Sequence, residues 1–148
     1  MDQFFVRPMT IDDYAAVMAL WAVTEGLCLR EADSPAAIAA FLERNPGLSV
    51  VAVEPPNRIV GVALCGHDGR RGFLHHVAVE PRSRRRGVGR ALVSACAAGL
   101  EARGIGKCHL LVRADNPNGA SFWRTLGWSN RADVTLMSRA IGGAGENA

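Results

Sequence analysis

Lysine is nearly missing from this chain of 148 residues: of its 17 basic residues, only Lys107 is not arginine. Tyr14 is the single tyrosine, and aromatics amount to 6%. So few rings outside packing positions argue against a surface that stacks nucleic-acid bases. No apolar run approaches the roughly 18 residues of a membrane span. Residues 1–10 hold no long apolar core, so no signal peptide is expected. Cys28, Cys65, Cys96 and Cys108 include no CxxC pair. Reduced, mostly buried thiols in a cytoplasmic chain without a metal site are the expectation. The 16 glycines do not recur every third position, which excludes collagen. What remains, 49% apolar and 21% charged, is an ordinary globular composition for one domain over residues 1–148. Residues 142–148 read as a frayed tail.

The charge divides unevenly. Residues 1–54 hold eight acids and three arginines, a net of −5, whereas residues 55–148 hold 14 basic residues and six acids, a net of +8. Seven arginines lie between positions 70 and 90. A basic patch of this kind calls for a polyanionic partner: nucleic acid, a nucleotide cofactor or a membrane face.

Residues 4–7 read as a first strand closed by Pro8. Thr10 can cap a helix running to about Gly26, with Ile11, Tyr14, Val17, Met18 and Trp21 on one stripe. Ser34 and Pro35 start a second helix, faced by Ile38, Phe41 and Leu42 and stopped at Asn45-Pro46-Gly47. Residues 48–53, 59–65 and 73–79 form an antiparallel meander with turns at Pro55-Pro56-Asn57 and Asp68-Gly69. A helix follows, with Val88, Ala91, Leu92, Ala95 and Gly99 on one face, ending at Gly104 or Gly106. Then come a strand at 108–112, a helix at 116–126 and a last strand at 134–137, with Ile141 near its end. The order indicates a mixed α/β sheet of six to seven strands covered by about four helices.

The most informative stretch is Val77-Ala78-Val79-Glu80-Pro81-Arg82-Ser83-Arg84-Arg85-Arg86-Gly87-Val88-Gly89-Arg90. It is a strand, a glycine-bearing turn and a helix start. Orphan amides at a helix N-terminus favour anions, Gly87 and Gly89 leave them uncovered, and arginines supply donors. The pattern is neither a G-x-G-x-x-G fingerprint nor a P-loop. The alternative is a solvated arginine run whose glycines serve packing. Basic residues before a helix N-terminus oppose its dipole, a cost that a diphosphate among them would relieve.

These residues resemble the GNAT superfamily of acyl-CoA-dependent N-acetyltransferases. The first family motif, Arg/Gln-x-x-Gly-x-Gly/Ala after a Val-x-Pro turn, is matched by Arg84-Arg85-Arg86-Gly87-Val88-Gly89 after Val79-Glu80-Pro81. The second, an asparagine followed by an aromatic pair and Leu-Gly-aromatic, is matched from Asn116 through Phe122-Trp123 to Leu126-Gly127-Trp128. The resemblance spans about residues 4–141. The turn Asp68-Gly69-Arg70-Arg71-Gly72 and the layout are similar to a bacterial branch, the YpeA-like acetyltransferases.

The resemblance implies a GNAT-like, mostly antiparallel sheet whose strands splay to admit acetyl-CoA. Amides of Arg85, Arg86, Gly87, Val88 and Gly89 would hold the pyrophosphate, with Arg84 and Arg90 beside them. The backbone of Val77, Ala78 and Val79 would bind the pantetheine arm, Asn116 would help to hold it, and Trp123 would either pack or contact the thioester. The region of Trp21, Glu25 and Asp33 usually shapes the acceptor pocket in this family, and its acids would suit a cationic amine. Asp68, Arg70 and Arg71 either line the acceptor entrance or form a solvated hairpin.

Acetyl transfer to an amine requires deprotonation of the amine and departure of a thiolate. Where the family often has a tyrosine acid, this chain has Trp123, whose indole cannot protonate a thiolate. Ser121 or solvent would supply that proton. Tyr14 lies on the apolar stripe, and Cys96 and Cys108 read as packed. The candidate bases are His75, His76 and Glu80. The histidines lie on opposite faces of a regular strand and could instead be one packed and one satisfied by a carbonyl. Glu80 abuts a proline and reads as a turn residue, and no carboxylate occupies residues 73–79. The expected function is therefore acetyl-CoA-dependent acetylation of a small-molecule or peptide amine by a monomer or homodimer. A non-turning acyl-CoA sensor and a nucleic-acid-binding module are the competing readings.

Overall fold

A computed structural model describes residues 3–143 and residue 145. Its sheet contains β1 (Phe5–Pro8), β2 (Val50–Glu54), β3 (Arg58–His67), β4 (Gly72–Val79) and β5 (Cys108–Leu110), in that spatial order. The first four strands pair antiparallel, and β4 pairs parallel with β5. The β3–β4 turn closes on Asp68, whose carboxylate accepts the amides of Arg70 and Arg71 at 2.8 Å each. That is the local bonding which makes Asp-Gly a turn former.

Helices α1 (Tyr14–Ala22) and α2 (Pro35–Arg44) cover one sheet face, packing Val17, Leu20, Trp21 and Ile38 on Val51, Val53, Val62 and Leu64. Helix α3 (Val88–Ala102) covers the other, packing Val88, Leu92 and Cys96 on Val60, Ala63 and Cys65. Gly61 lets α3 approach: a Cβ there would lie 2.9 Å from Val88 and 3.0 Å from Leu92. Ser34 caps α2 as its sequence requires, accepting the Ala37 amide at 3.2 Å. Helix α4 (Pro117–Thr125) follows β5.

Three expectations about elements are corrected. The helix expected from Thr10 begins as a 3₁₀ turn, Ile11–Asp13, and α1 stops at Ala22. Asp13 causes the tight entry: its carboxylate accepts the Thr10 amide at 2.9 Å and grips the Arg7 guanidinium at 2.8 and 2.9 Å. The strand expected at 108–112 ends at Leu110. Residues 134–137 do not pair into a strand, so the described residues hold five strands where six to seven were expected. The physical reason is the absence of a partner: β5 is three residues long, and Val134, Leu136, Met137 and Ile141 stand exposed beside no ladder. Of the expected tail, positions 142 and 143 form an exposed turn; 144 and 146–148 lie outside the described residues.

The parallel pairing of β4 with β5 covers only Gly72, Phe73 and Leu74. Beyond Leu74 and Leu110 the two strands part, leaving residues 75–79 of β4 without a ladder partner on that side among the described residues.

Candidate active site

The splay begins where β4 is irregular. Leu64 faces His75 and Val62 faces Ala78, so Ala63 stands opposite two residues of β4. This bulge turns His76 into the left-handed region, at φ 49°. For a non-glycine residue that conformation costs about 1–2 kcal/mol. Two contacts offset it. The Trp21 indole N–H donates to the His76 carbonyl at 2.9 Å, and His76 Nε2 lies 2.9 Å from Asp33 Oδ1. The rings of Trp21 and His76 meet edge-on at 5.1 Å.

The bulge corrects the expected alternation of the histidines. His76 meets Trp21 and Asp33, while His75 meets Phe41, so both lie on the side covered by α1 and α2. His75 is stacked on Phe73 at 6.2 Å and edge-on to Phe41 at 6.0 Å. With Phe41, Arg44, Asp68 and Phe73 it lines a hollow of about 200 Å³. Although one side of His75 opens to solvent, desolvation among these rings holds its pKa below the usual histidine value. The adjacent His76 acts in the same direction and Asp33 opposes both.

Trp21 and Asp33 do not line an open acceptor pocket. Trp21 is buried with its N–H committed to His76, and Asp33 is only 6% exposed. The turn Glu31–Asp33 before α2 places Asp33, whose Oδ2 accepts the Arg30 amide at 2.9 Å and whose carbonyl accepts the Tyr14 hydroxyl at 2.7 Å. Glu25 is exposed in the same α1–α2 connection. Arg70 and Arg71 are exposed at the hairpin tip, where only Asp68 reaches the hollow.

At the other end of β4, Pro81–Ser83 forms a 3₁₀ turn and Gly87 begins α3 at φ 80°. Helix α3 has no side-chain cap, so its first amides are uncovered. A Cβ on Gly87 would meet nothing within 4 Å, whereas one on Gly89 would lie 2.9 Å from the Phe122 ring. The two glycines thus divide the alternatives: Gly87 opens the turn and Gly89 admits α4. Arg85 also sits at positive φ, 64°. Arg84 Nε donates to the Val79 carbonyl at 3.2 Å. Glu54 holds Arg86 and Arg58, and Glu80 holds Arg58 and Arg82. Arg85 and Arg90 are exposed and have no acidic partner among the described residues. Ser83 Oγ is fully buried without a hydrogen-bond partner there. No local motif marks Ser83 or Glu54, and nothing in local spacing links Glu54 to Arg86, 32 residues away.

Asn116 caps α4, its Oδ1 accepting the Gly119 amide at 3.1 Å. Trp123 packs edge-on to Phe122 at 5.0 Å and to Trp128 at 5.3 Å. Ser121 is exposed on α4, and its hydroxyl makes no hydrogen bond among the described residues. Cys96 is buried, and burial pushes the Cys108 thiol up to about 11, so neither is an activated nucleophile.

A family model for the acetyltransferase (GNAT) family matches residues 15–128. The chain belongs to that family. It is 36% identical to an acetyltransferase of Pectobacterium atrosepticum over 137 residues, 92% of this chain and 95% of that one. The fold matches the ribosomal-protein-S18-alanine N-acetyltransferase of Escherichia coli with a TM-score of 0.70, at 23% identity over 84% of this chain and 77% of that one. It also matches Rv2747 of Mycobacterium tuberculosis, solved with CoA, with a TM-score of 0.67 at 20% identity over 83% and 70% of the two chains. Family membership brings the activity class, acetyl transfer by an enzyme.

Proposed function

We propose that this GNAT protein acetylates the primary amine of a small molecule or peptide in the cytoplasm, by direct transfer from acetyl-CoA. One observation carries the reading: the unpaired side of β4 leads, through the turn at Pro81–Ser83, to the uncapped, glycine-opened start of α3. An extended amide-bearing arm suits the first, and a diphosphate suits the second. The backbone of Val77, Ala78 and Val79 would hold the arm, with Asn116 and Trp123 flanking it. Amides of residues 85–89 would hold the pyrophosphate, with Arg84 and Arg86 shaping the turn. Arg85 and Arg90 would add charge, and the partnerless Ser83 hydroxyl fits a polar ligand at this turn. Bound there, the thioester supplies an activated acetyl group. His75 and His76 are the groups on β4 able to take the amine's proton, and Ser121 or solvent can return one to sulfur. Glu25, Asp68, Arg70 and Arg71 would meet the acceptor at the entrance. The similarity of the hairpin turn to the YpeA-like branch belongs to the same reading.

The test is thiol release from acetyl-CoA across amino acids, polyamines, aminoglycosides and N-terminal peptides, with CoA binding measured in parallel by calorimetry. Amine-dependent thiol release is expected. CoA binding without turnover over the whole panel would make the chain a sensor. Nucleic-acid binding indifferent to CoA would overturn both readings.

A further inference from the structure

Two histidines on one face leave open which of them handles the proton, and their partners differ. The His75 ring has aromatic neighbours but no hydrogen-bond partner among the described residues. His76 is held at three points: its backbone by the bulge, its carbonyl by Trp21 and its Nε2 by Asp33. A base that must present one nitrogen needs a third group to orient it. Asp33 is itself fixed, by the Arg30 amide on Oδ2 and the Tyr14 hydroxyl on its carbonyl.

We infer that His76, through Nδ1, accepts the proton of the acceptor amine, and that Asp33 is the positioning residue that fixes this tautomer. The inference rests on the acetyltransferase reading above and deepens it. An ionised carboxylate only accepts hydrogen bonds, so the hydrogen between Asp33 and His76 sits on Nε2. In the neutral ring the lone pair is then on Nδ1, which has no hydrogen-bond partner among the described residues. The side chain is 21% exposed, open enough to be reached, and it lies two residues beyond the last β4–β5 pair, at the mouth of the splay. The charged and titratable groups facing it are Asp33 from the turn before α2, Tyr14 of α1 behind Asp33, and His75 beside it.

The step balances as follows. The amine nitrogen bonds to the acetyl carbonyl carbon while its proton passes to His76 Nδ1. The carbon–sulfur bond breaks, its electron pair leaves on sulfur, and solvent protonates the thiolate. His76 then releases its proton to solvent, and nothing is oxidised or reduced.

Two measurements on the full chain test this. The first is a long-range ¹⁵N imidazole spectrum of the wild type without ligands. The neutral His76 ring is expected to carry its hydrogen on Nε2, and a hydrogen on Nδ1 would overturn the inference even if every variant failed to fold. The second is kinetics with an amine from the thiol-release panel. His76→Gln is expected to lower kcat about a hundredfold or more, with KM for acetyl-CoA within about threefold. Asp33→Asn should lower kcat about tenfold or more, leave CoA affinity intact and disturb the His76 tautomer. His75→Gln, which removes the alternative base, is expected to lower kcat far less than His76→Gln does. Loss of kcat in His75→Gln with His76→Gln active, or an unchanged kcat in folded Asp33→Asn, overturns the assignment alone. A wild type that turns over no amine overturns the acetyltransferase reading, and the base with it.

Discussion

Asp13 shows how one carboxylate shapes the entry to the fold. It grips Arg7 with two hydrogen bonds and holds the Thr10 amide, and the Arg7 contact foremost keeps its pKa below the usual carboxylate range. Asp13→Asn should cost about 2 kcal/mol at neutral pH, since charge-assisted bonds to a nearly buried group are lost. A lowered folded pKa means that the unfolded chain binds the proton more readily. The wild type's advantage is therefore complete above the unfolded value of 3.8 and disappears as pH falls through the folded one. Urea unfolding of both proteins at neutral and successively lower pH checks the sign. The arginines at the start of α3 differ for an equally local reason. Glu80 and Glu54 already partner Arg82 and Arg86, whereas Arg85 and Arg90 face solvent alone. Arg85→Ala and Arg90→Ala should each raise the Kd for CoA about three- to tenfold, and Arg82→Ala less than about twofold, as measured by calorimetry. Simple charge counting treats all these arginines alike; Glu80 is two residues from Arg82, but Glu54 is 32 residues from Arg86, and that pairing exists only in the fold.

Glycines report how closely elements approach. A methyl on Gly61 would press on Val88, Leu92 and the Ala78 carbonyl, at 2.9, 3.0 and 3.3 Å. Gly61→Ala should therefore lift α3 from the sheet and cost about 2–3 kcal/mol, seen as a lower Tm. Gly89→Ala presses closely, at 2.9 Å, only on the Phe122 ring, which stands exposed and is not sheet backbone, so its cost should be the smaller of the two. Much at this scale was legible in the chain: Ser34-Pro35 opens α2, Asp68-Gly69 turns the hairpin, and the glycine-bearing turn opens α3. The bulge was not. A period of two assigns His75 and His76 to opposite faces, and only the β3–β4 register shows that one extra residue brings them to the same side. The last strand was misread for a related reason. Residues 134–137 alternate suitably, but a strand exists only with a partner edge, and β5 is too short to provide one.

Across the whole molecule, packing is uneven. The two cores fill both faces of β2, β3 and β4, while α4 buries no residue fully. Met137 and Ile141 are 88% and 83% exposed. Native-state hydrogen exchange should accordingly divide the chain: amides of β3 and β4 exchange only with global unfolding, and those of residues 129–141 exchange orders of magnitude faster. Comparable protection in both regions would show that the C-terminal segment is docked. The charge asymmetry also acquires a structure. Two acids, Glu54 and Glu80, reach into the basic turn and neutralise part of it, so the turn carries less net positive charge than its arginine count implies.

The sequence by itself determined most of the elements, their order, the family and the glycine-bearing turn that opens α3. These depend on local chemistry: capping residues, turn formers, apolar period and a contiguous motif. The tertiary structure alone decided which arginines remain free, that Gly89 serves packing while Gly87 opens the turn, and that Asp33 and Trp21 hold His76 instead of lining a pocket. Those are pairings between residues 32 to 55 positions apart, or consequences of how two elements meet, and no local pattern encodes them.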